Sequence, residues 1–150
     1  MKKLTVITAM LLLVATTLFA NHADEISEKV RNAFQKSFND ATEVSWKRQS
    51  TIYVASFKVK GQEVSAIYNE EGELVSASRH QTISQLPLRV QVVLLDKYNG
   101  YRINDDVLES FSNSNGETAY YINLENDKTE LKVRGDATGN FTIEDKMKKK

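Results

Sequence analysis

YVASFKVKGQEVSAIY, residues 53–68, decides the fold because it encodes two strands and the turn that joins them. Apolar and more polar side chains alternate from Tyr53 to Val59 and again from Val64 to Tyr68. This period of two is typical of strands with one buried face. Lys60-Gly61 separates the two runs, and glycine accepts the positive φ that a tight hairpin turn requires. The stretch therefore predicts an antiparallel hairpin.

One amphipathic helix is predicted before this hairpin and another after it. Apolar residues recur at helical spacing in both segments, which gives each helix one apolar stripe. Pro87 suits the first turn of the second helix, where its missing N–H would have no helical partner. The stripes consist of Ile26, Val30, Ala33, Phe34 and Phe38 in the first helix and of Leu86, Val90, Val93, Leu94 and Tyr98 in the second.

The two helix-and-strand patterns resemble each other along the chain. The helices align at a spacing of 60 residues, as in Phe38 and Tyr98, and the strands align at 67, as in Gly72 and Gly139. The single change of spacing predicts an insertion near Asn104–Gly116, a polar stretch. We therefore expect an α+β fold: a tandem repeat of a helix plus an antiparallel meander of about four strands, with both helices packed on one sheet face. The predicted units are residues 24–83 and 84–145, followed by a basic tail at residues 146–150.

The N-terminus has the order of a secretory signal. Met1-Lys2-Lys3 is positive, the run from Leu4 to Phe19 is almost wholly apolar, and the small residues Ala20 and Ala23 follow. A membrane anchor is the alternative, but the apolar run is shorter than the ~20 residues that a spanning helix needs. We therefore predict a signal peptide at residues 1–23, cleaved after Ala20 or Ala23. The mature chain would have no membrane span and would work in the periplasm or outside the cell.

Composition excludes several classes of function. The chain has no cysteine, so disulfides, thiolate metal sites and cysteine nucleophiles are ruled out. Its formal net charge is zero, and nucleic-acid binding depends on basic surfaces. We therefore expect no nucleic-acid partner.

One ordered set of mainly apolar residues runs through most of the chain. It consists of Val30, Ala33, Phe34, Phe38, Ala41, Val44, Trp46, Tyr53, Phe57, Tyr68, Gly72 and Leu74, then Leu86, Pro87, Val90, Tyr98, Gly100, Tyr101 and Ile103. This order resembles an exported bacterial family, the PepSY-like or β-lactamase-inhibitor-protein-like (BLIP-like) proteins. The resemblance covers roughly residues 25–145, and one departure is Asn39, where the family usually has proline. It implies an exported, non-enzymatic domain, and some relatives bind and inhibit enzymes through a sheet face.

Candidate catalytic and metal-binding residues are few. His80 could be a base or a ligand, but it stands alone in a polar stretch and is better interpreted as an exposed loop residue. The carboxylates at Glu70, Glu71 and Glu73 surround a glycine turn and lack the regular ligand array of a calcium loop. Asp105 and Asp106 have the same interpretation. We therefore predict no enzyme activity, no metal site and no cofactor.

The sheet face opposite the helices is the preferred candidate for binding. It would present apolar, aromatic and cationic side chains, a mixture that often marks a partner site. An ordinary solvated sheet face is an equal alternative. Trp46 could anchor an interface, although a core position at the start of the first strand is favoured. The candidate binding residues are Ile52, Val54, Lys58, Ile67, Tyr121, Asn123, Lys132 and Arg134.

These features favour an exported, non-catalytic binding module. It would act as an inhibitor of, or a sensor for, an envelope or secreted protein, and it would itself be a monomer. The alternative is a structural or stress-related envelope protein with no dedicated ligand.

Overall fold

The computed structural model describes residues 26–150, so the predicted signal peptide at residues 1–23 lies outside the described residues. The described part contains two α-helices, one short 3₁₀ turn and nine strands. In chain order the elements are α1 (Glu28–Ser37), β1 (Thr42–Gln49), β2 (Ile52–Val59), β3 (Gln62–Asn69), β4 (Leu74–Gln81), the 3₁₀ turn (Ile83–Gln85), α2 (Leu88–Lys97), β5 (Arg102–Ile103), β6 (Val107–Ser112), β7 (Glu117–Glu125), β8 (Thr129–Asp136) and β9 (Phe141–Lys148).

All the strands belong to one antiparallel sheet. Their order is β1-β2-β3-β4-β6-β7-β8-β9, and the two-residue β5 pairs with the end of β7. The hairpin quoted above is β2 and β3, with Tyr53 opposite Tyr68 and Phe57 opposite Val64. At the other edge of the sheet β9 extends to Lys148, so Lys146 and Lys148 of the expected tail are strand residues.

The predicted tandem repeat of helix and four-stranded meander is wrong. The nine strands form a single sheet, and a ladder between β4 and β6 joins the two halves from Ser76↔Ser112 to Gln81↔Val107. The expected polar insertion at Asn104–Gly116 contains β6, which pairs with β4 on one side and with β7 on the other. In the first half the strand before β2 is β1, which pairs with β2 as β6 pairs with β7. β1 lies at the edge of the sheet, however, whereas β6 is paired on both sides and joins the two halves into one sheet.

α1 packs an aromatic core against the first half of the sheet. Ser27 caps the helix by accepting a hydrogen bond from the Val30 amide at 3.3 Å. Phe34 lies on the inner side, with its ring 4.9 Å from that of Phe57 and 5.1 Å from that of Trp46, both edge-on. Edge-to-face contacts of this kind are favourable beyond the apolar area that they bury. Trp46 is thus a partly buried core residue, as favoured from the sequence.

α2 packs a mainly aliphatic core against the second half. Val90 and Leu94 are completely buried on its inner side. They pack in one cluster with Ile122 of β7 and Val133 of β8, which are also inaccessible to solvent. Tyr98 closes the end of this cluster, where its ring meets that of Phe141 edge-on at 5.9 Å.

Strand register puts both helices on the same side of the sheet. Directly paired residues of neighbouring strands share a face. Ala66, in the α1 core, pairs with Ala77, and Ala77 pairs with Phe111 of β6. Phe111 pairs with Thr118, which lies two residues before Tyr120 in the α2 core and therefore on the same face. The opposite face, called the open face below, carries no helix within residues 26–150.

Gly135 on β8 permits the close packing of Phe141 on β9. The two residues are cross-strand partners on the helix side. A Cβ atom added at Gly135 would lie 2.4 Å from Cε1 of the Phe141 ring, well inside van der Waals contact.

We expect Gly135→Ala to destabilise the protein by about 1–3 kcal/mol through overpacking. Adding Phe141→Leu should recover part of this loss, because the smaller side chain leaves room for the new methyl group. Urea unfolding of the wild type, both single variants and the double variant measures the coupling. Strict additivity of the two free-energy changes would contradict this steric explanation.

Asp136 organises the turn between β8 and β9. One carboxylate oxygen accepts hydrogen bonds from the Thr138 amide at 2.8 Å, the Thr138 hydroxyl at 2.7 Å and the Asn140 amide at 3.0 Å. The second oxygen accepts from the Asn140 side chain at 2.8 Å. These donors, led by the Thr138 hydroxyl, favour the ionised form and hold the pKa of Asp136 well below its ordinary value.

Because the folded-state pKa of Asp136 is depressed, its stabilisation should be complete above the unfolded pKa of about 3.9 and decline as the pH falls below it. We expect Asp136→Asn to be less stable than the wild type at neutral pH, with the difference shrinking in acid. Thermal unfolding from pH 7 to pH 2 measures this. Thr138→Ala/Asn140→Ala, which keeps the carboxylate and removes its side-chain donors, should show the same trend. A difference that does not vary with pH would contradict this role.

Candidate interaction face

The structure places all the candidate binding residues on the open face. On β2, Ile52, Val54 and Lys58 alternate with the buried Tyr53, Ala55 and Phe57 and so point away from α1. Strand register places the remaining candidates on the same face, because directly paired residues of neighbouring strands share a face. These pairs are Val54↔Ile67, Tyr121↔Arg134 and Asn123↔Lys132.

The candidates form two groups rather than one continuous patch. Ile52, Val54 and Ile67 make an apolar group on β2 and β3, and all three are half-buried. Lys58 lies apart from this group, near the end of β2. The second group, on β7 and β8, is aromatic and cationic and consists of Tyr121, Asn123, Lys132 and Arg134. Strands β4 and β6 separate the groups. At about 4.8 Å per strand, the candidates from β2 to β8 span roughly 24 Å.

Sequence reasoning missed a polar strip that crosses the open face from β1 to β6. Directly paired serines run across five neighbouring strands of the open face: Ser45, Ser56, Ser65, Ser78 and Ser110. Each serine is an ordinary outward-facing position in its own strand. They come into line only through the pairing of strands that are distant in sequence, so no local signal could have revealed the row.

Charged side chains on this face are held by local pairs. The Lys58 ammonium lies 2.7 Å from a Glu43 carboxylate oxygen, and this hydrogen bond raises the pKa of Lys58. The Lys132 ammonium lies 5.5 Å from the centre of the Tyr121 ring, a cation–π arrangement. Exposed pairs like these add little to stability, but they favour particular side-chain positions.

Two shallow hollows lie on the open face. One, of about 350 Å³, lies over the serine row and is bordered by Lys58, Glu63 and His80. The other, of about 660 Å³, lies at the far end of β7–β9. Asn123 and Lys132 line it together with Asp145, Met147 and the chain around Asn104.

His80 occupies a strand and not the loop expected from the sequence. It lies near the end of β4 on the open face, where its Nδ1 atom is 2.7 Å from a carboxylate oxygen of Asp106. The two side chains are 66% and 62% exposed, so water surrounds the pair. Within residues 26–150 no group of three or more His, Asp or Glu side chains is placed to hold a metal ion.

The acidic segment forms the turn that the sequence predicts. Glu73 and Asn69 hydrogen-bond to each other across the β3–β4 turn, in which Gly72 adopts a φ of +83°. Neither α1 nor α2 is long and apolar enough to cross a membrane, as judged from the described residues.

Solved structures share this architecture. A BLIP-like protein from Bacteroides fragilis aligns with a TM-score of 0.68 at 18% identity, over 81% of this chain and 85% of that one. A DUF2874 family protein from Bacteroides ovatus gives 0.68 at 17% identity, over 83% and 89% of the two chains. A candidate periplasmic protein from Bacteroides eggerthii gives 0.64 at 14% identity, over 81% and 88%.

The chain therefore has the fold of BLIP-like proteins: one broad antiparallel sheet with helices on a single side. The likeness is one of fold, since the sequence itself matches no family model and no curated protein. None of these neighbours is described as PepSY-like, and that part of the expected resemblance stays a prediction.

The open face should tolerate substitution far better than the helix side of the same strand. We expect Ile122→Ala, at a fully buried position, to cost about 2–5 kcal/mol. Tyr121→Ala, one residue earlier on the open face, should cost less than about 1 kcal/mol. Denaturant unfolding of the two variants measures this contrast. Equal losses would show that Tyr121 belongs to the core.

Proposed function

We propose that the mature chain is an exported, non-catalytic binding protein that docks another protein on its open sheet face. The observation that carries this proposal is the distribution of side chains on the sheet. Both helices bury one face, while the other presents an apolar group and an aromatic, cationic group. Exposed mixtures of this kind are typical of interaction surfaces.

The width of the face favours a protein partner over a small molecule. Pockets for small ligands bury most of the ligand in a cleft. Here the candidate residues are spread over roughly 24 Å of sheet. A protein–protein interface of about 800 Å² per partner has a similar width. On β4 and β6, which separate the two groups, Ser78 and Ser110 have short side chains, so a partner surface could contact both groups at once.

A catalytic role has less support. The His80–Asp106 pair is the nearest approach to an acid–base arrangement on this face, yet both side chains lie in water. Catalytic groups are usually found where burial or neighbouring charge shifts their pKa values. The core tyrosines Tyr68, Tyr98 and Tyr120 do have pKa values raised by burial, but they pack under the helices, away from the open face.

The proposed location is the periplasm or the outside of the cell. The secretory pattern of residues 1–23 supports it, as does a structural neighbour described as a candidate periplasmic protein. In such a compartment the chain would inhibit or sense an envelope or secreted protein. Cell fractionation followed by N-terminal sequencing tests the location, with a new terminus expected at Asn21 or Asp24.

The alternative is a structural or stress-related envelope protein with no dedicated ligand. The serine row and the paired charges favour it, since a hydroxyl-rich, ion-paired surface is stable in water without a partner.

Substitution of the open face separates these two proposals. We expect Ile67→Ala/Tyr121→Ala/Arg134→Ala to remain folded and to lose capture of a partner by the immobilised protein in an envelope extract. Arg31→Ala/Lys36→Ala, on the exposed side of α1, is the matched control and should retain capture. Quantitative mass spectrometry of the bound fractions measures the difference. Equal recovery on both variants, or no enriched partner on the wild type, would favour the alternative.

A further inference from the structure

α2 carries a second apolar stripe on the side that faces away from the sheet. Leu88, Val92 and Leu95 are 73%, 58% and 56% exposed. Their spacing of four and three residues keeps them on one face of the helix, opposite the buried Val90 and Leu94. Most surface helices of this size have only one apolar face, and here the second one is turned to solvent.

This spacing is that of a coiled-coil seam. Leu88, Val92 and Leu95 take the d, a and d positions of a heptad, which places Arg89 and Asp96 at the two e positions on one flank. In an antiparallel pair of identical helices this flank meets its own copy. Arg89 of one chain then faces Asp96 of the other, and the twofold axis repeats the ion pair.

The charges on this flank are available for such a pairing. Neither Arg89 nor Asp96 forms a salt bridge with another residue of the described chain. The Nε atom of Arg89 donates to the Thr138 carbonyl at 2.7 Å, which ties the side chain to the β8–β9 turn beside α2.

We propose that α2 is the interface of an antiparallel, twofold-symmetric homodimer. Leu88, Val92 and Leu95 pack across the axis, and Arg89 and Asp96 form two reciprocal ion pairs. The helix has only ten residues, so the contact is smaller than the roughly 1,200–2,000 Å² of a stable interface. The dimer is therefore weak and forms with rising concentration. This proposal replaces the monomer expected from the sequence.

The position of α2 gives the dimer a functional consequence, which rests on the proposed function of the open face. α2 covers one side of the sheet, so dimerisation through its outer surface leaves both open faces exposed and directed away from each other. A partner with repeated sites would then be bound at two points, which raises the apparent affinity without any new contact.

Cysteine crosslinking tests the dimer directly, because the natural chain contains no cysteine. In the full chain we expect Val92→Cys, close to the twofold axis, to give a disulfide-linked species of twice the chain mass under mild oxidation. Ser114→Cys, in the exposed β6–β7 turn, is the control and should remain largely monomeric. A non-reducing gel with mass spectrometry of the bands identifies the products.

Charge exchange then tests the antiparallel arrangement. In the Val92→Cys background, Asp96→Arg should slow disulfide formation several-fold, and Arg89→Asp/Asp96→Arg should restore it. Circular dichroism confirms that each variant is folded. The proposal is overturned if the Val92→Cys variant crosslinks no faster than the Ser114→Cys variant, if it links mainly to a different protein, or if the double exchange fails to restore the rate. Because none of these measurements involves the open face, their failure leaves the proposed function standing.

Discussion

The hydrogen-bonded ladder between β4 and β6 is the constraint on which the rest of the structure depends. It pairs residues from Ser76↔Ser112 to Gln81↔Val107 and is the junction between the two halves of the sheet. Since paired residues share a face, this register also fixes which side of the second half faces α2. A shift of the ladder by one residue would turn the second half over and place α2 on the open face.

The two cores on the helix side are chemically different and largely independent. The first is built on rings that meet edge-on, with Phe34 at the centre. The second is mainly aliphatic and includes Val90, Leu94 and Ile122. They form two clusters of buried residues rather than one, so the shared sheet connects the halves more than shared side-chain packing does. At their centre, on the helix side, the strands that join the halves carry the Arg79–Glu109 ion pair.

This arrangement separates stability from the proposed interactions. The buried side chains lie between the helices and the sheet, whereas the candidate binding residues lie on the other side of the same strands. The outer stripe of α2 faces solvent on the helix side of the molecule, away from the open face. Partner binding and self-association can therefore be assigned to different surfaces, and each surface can change in sequence without removing a core contact.

Local sequence determined the two helices, the alternation of the strands and the outward direction of residues such as Tyr121 and Lys132. These properties follow from periodicity and turn chemistry within short segments. Only the tertiary structure decided that β6 is an interior strand, that the serines align across the sheet and that His80 approaches Asp106. Each of these depends on register between segments distant in the chain. Hydrogen bonds and packing between the two segments fix this register together. The pattern of residues within either segment alone therefore does not reveal it.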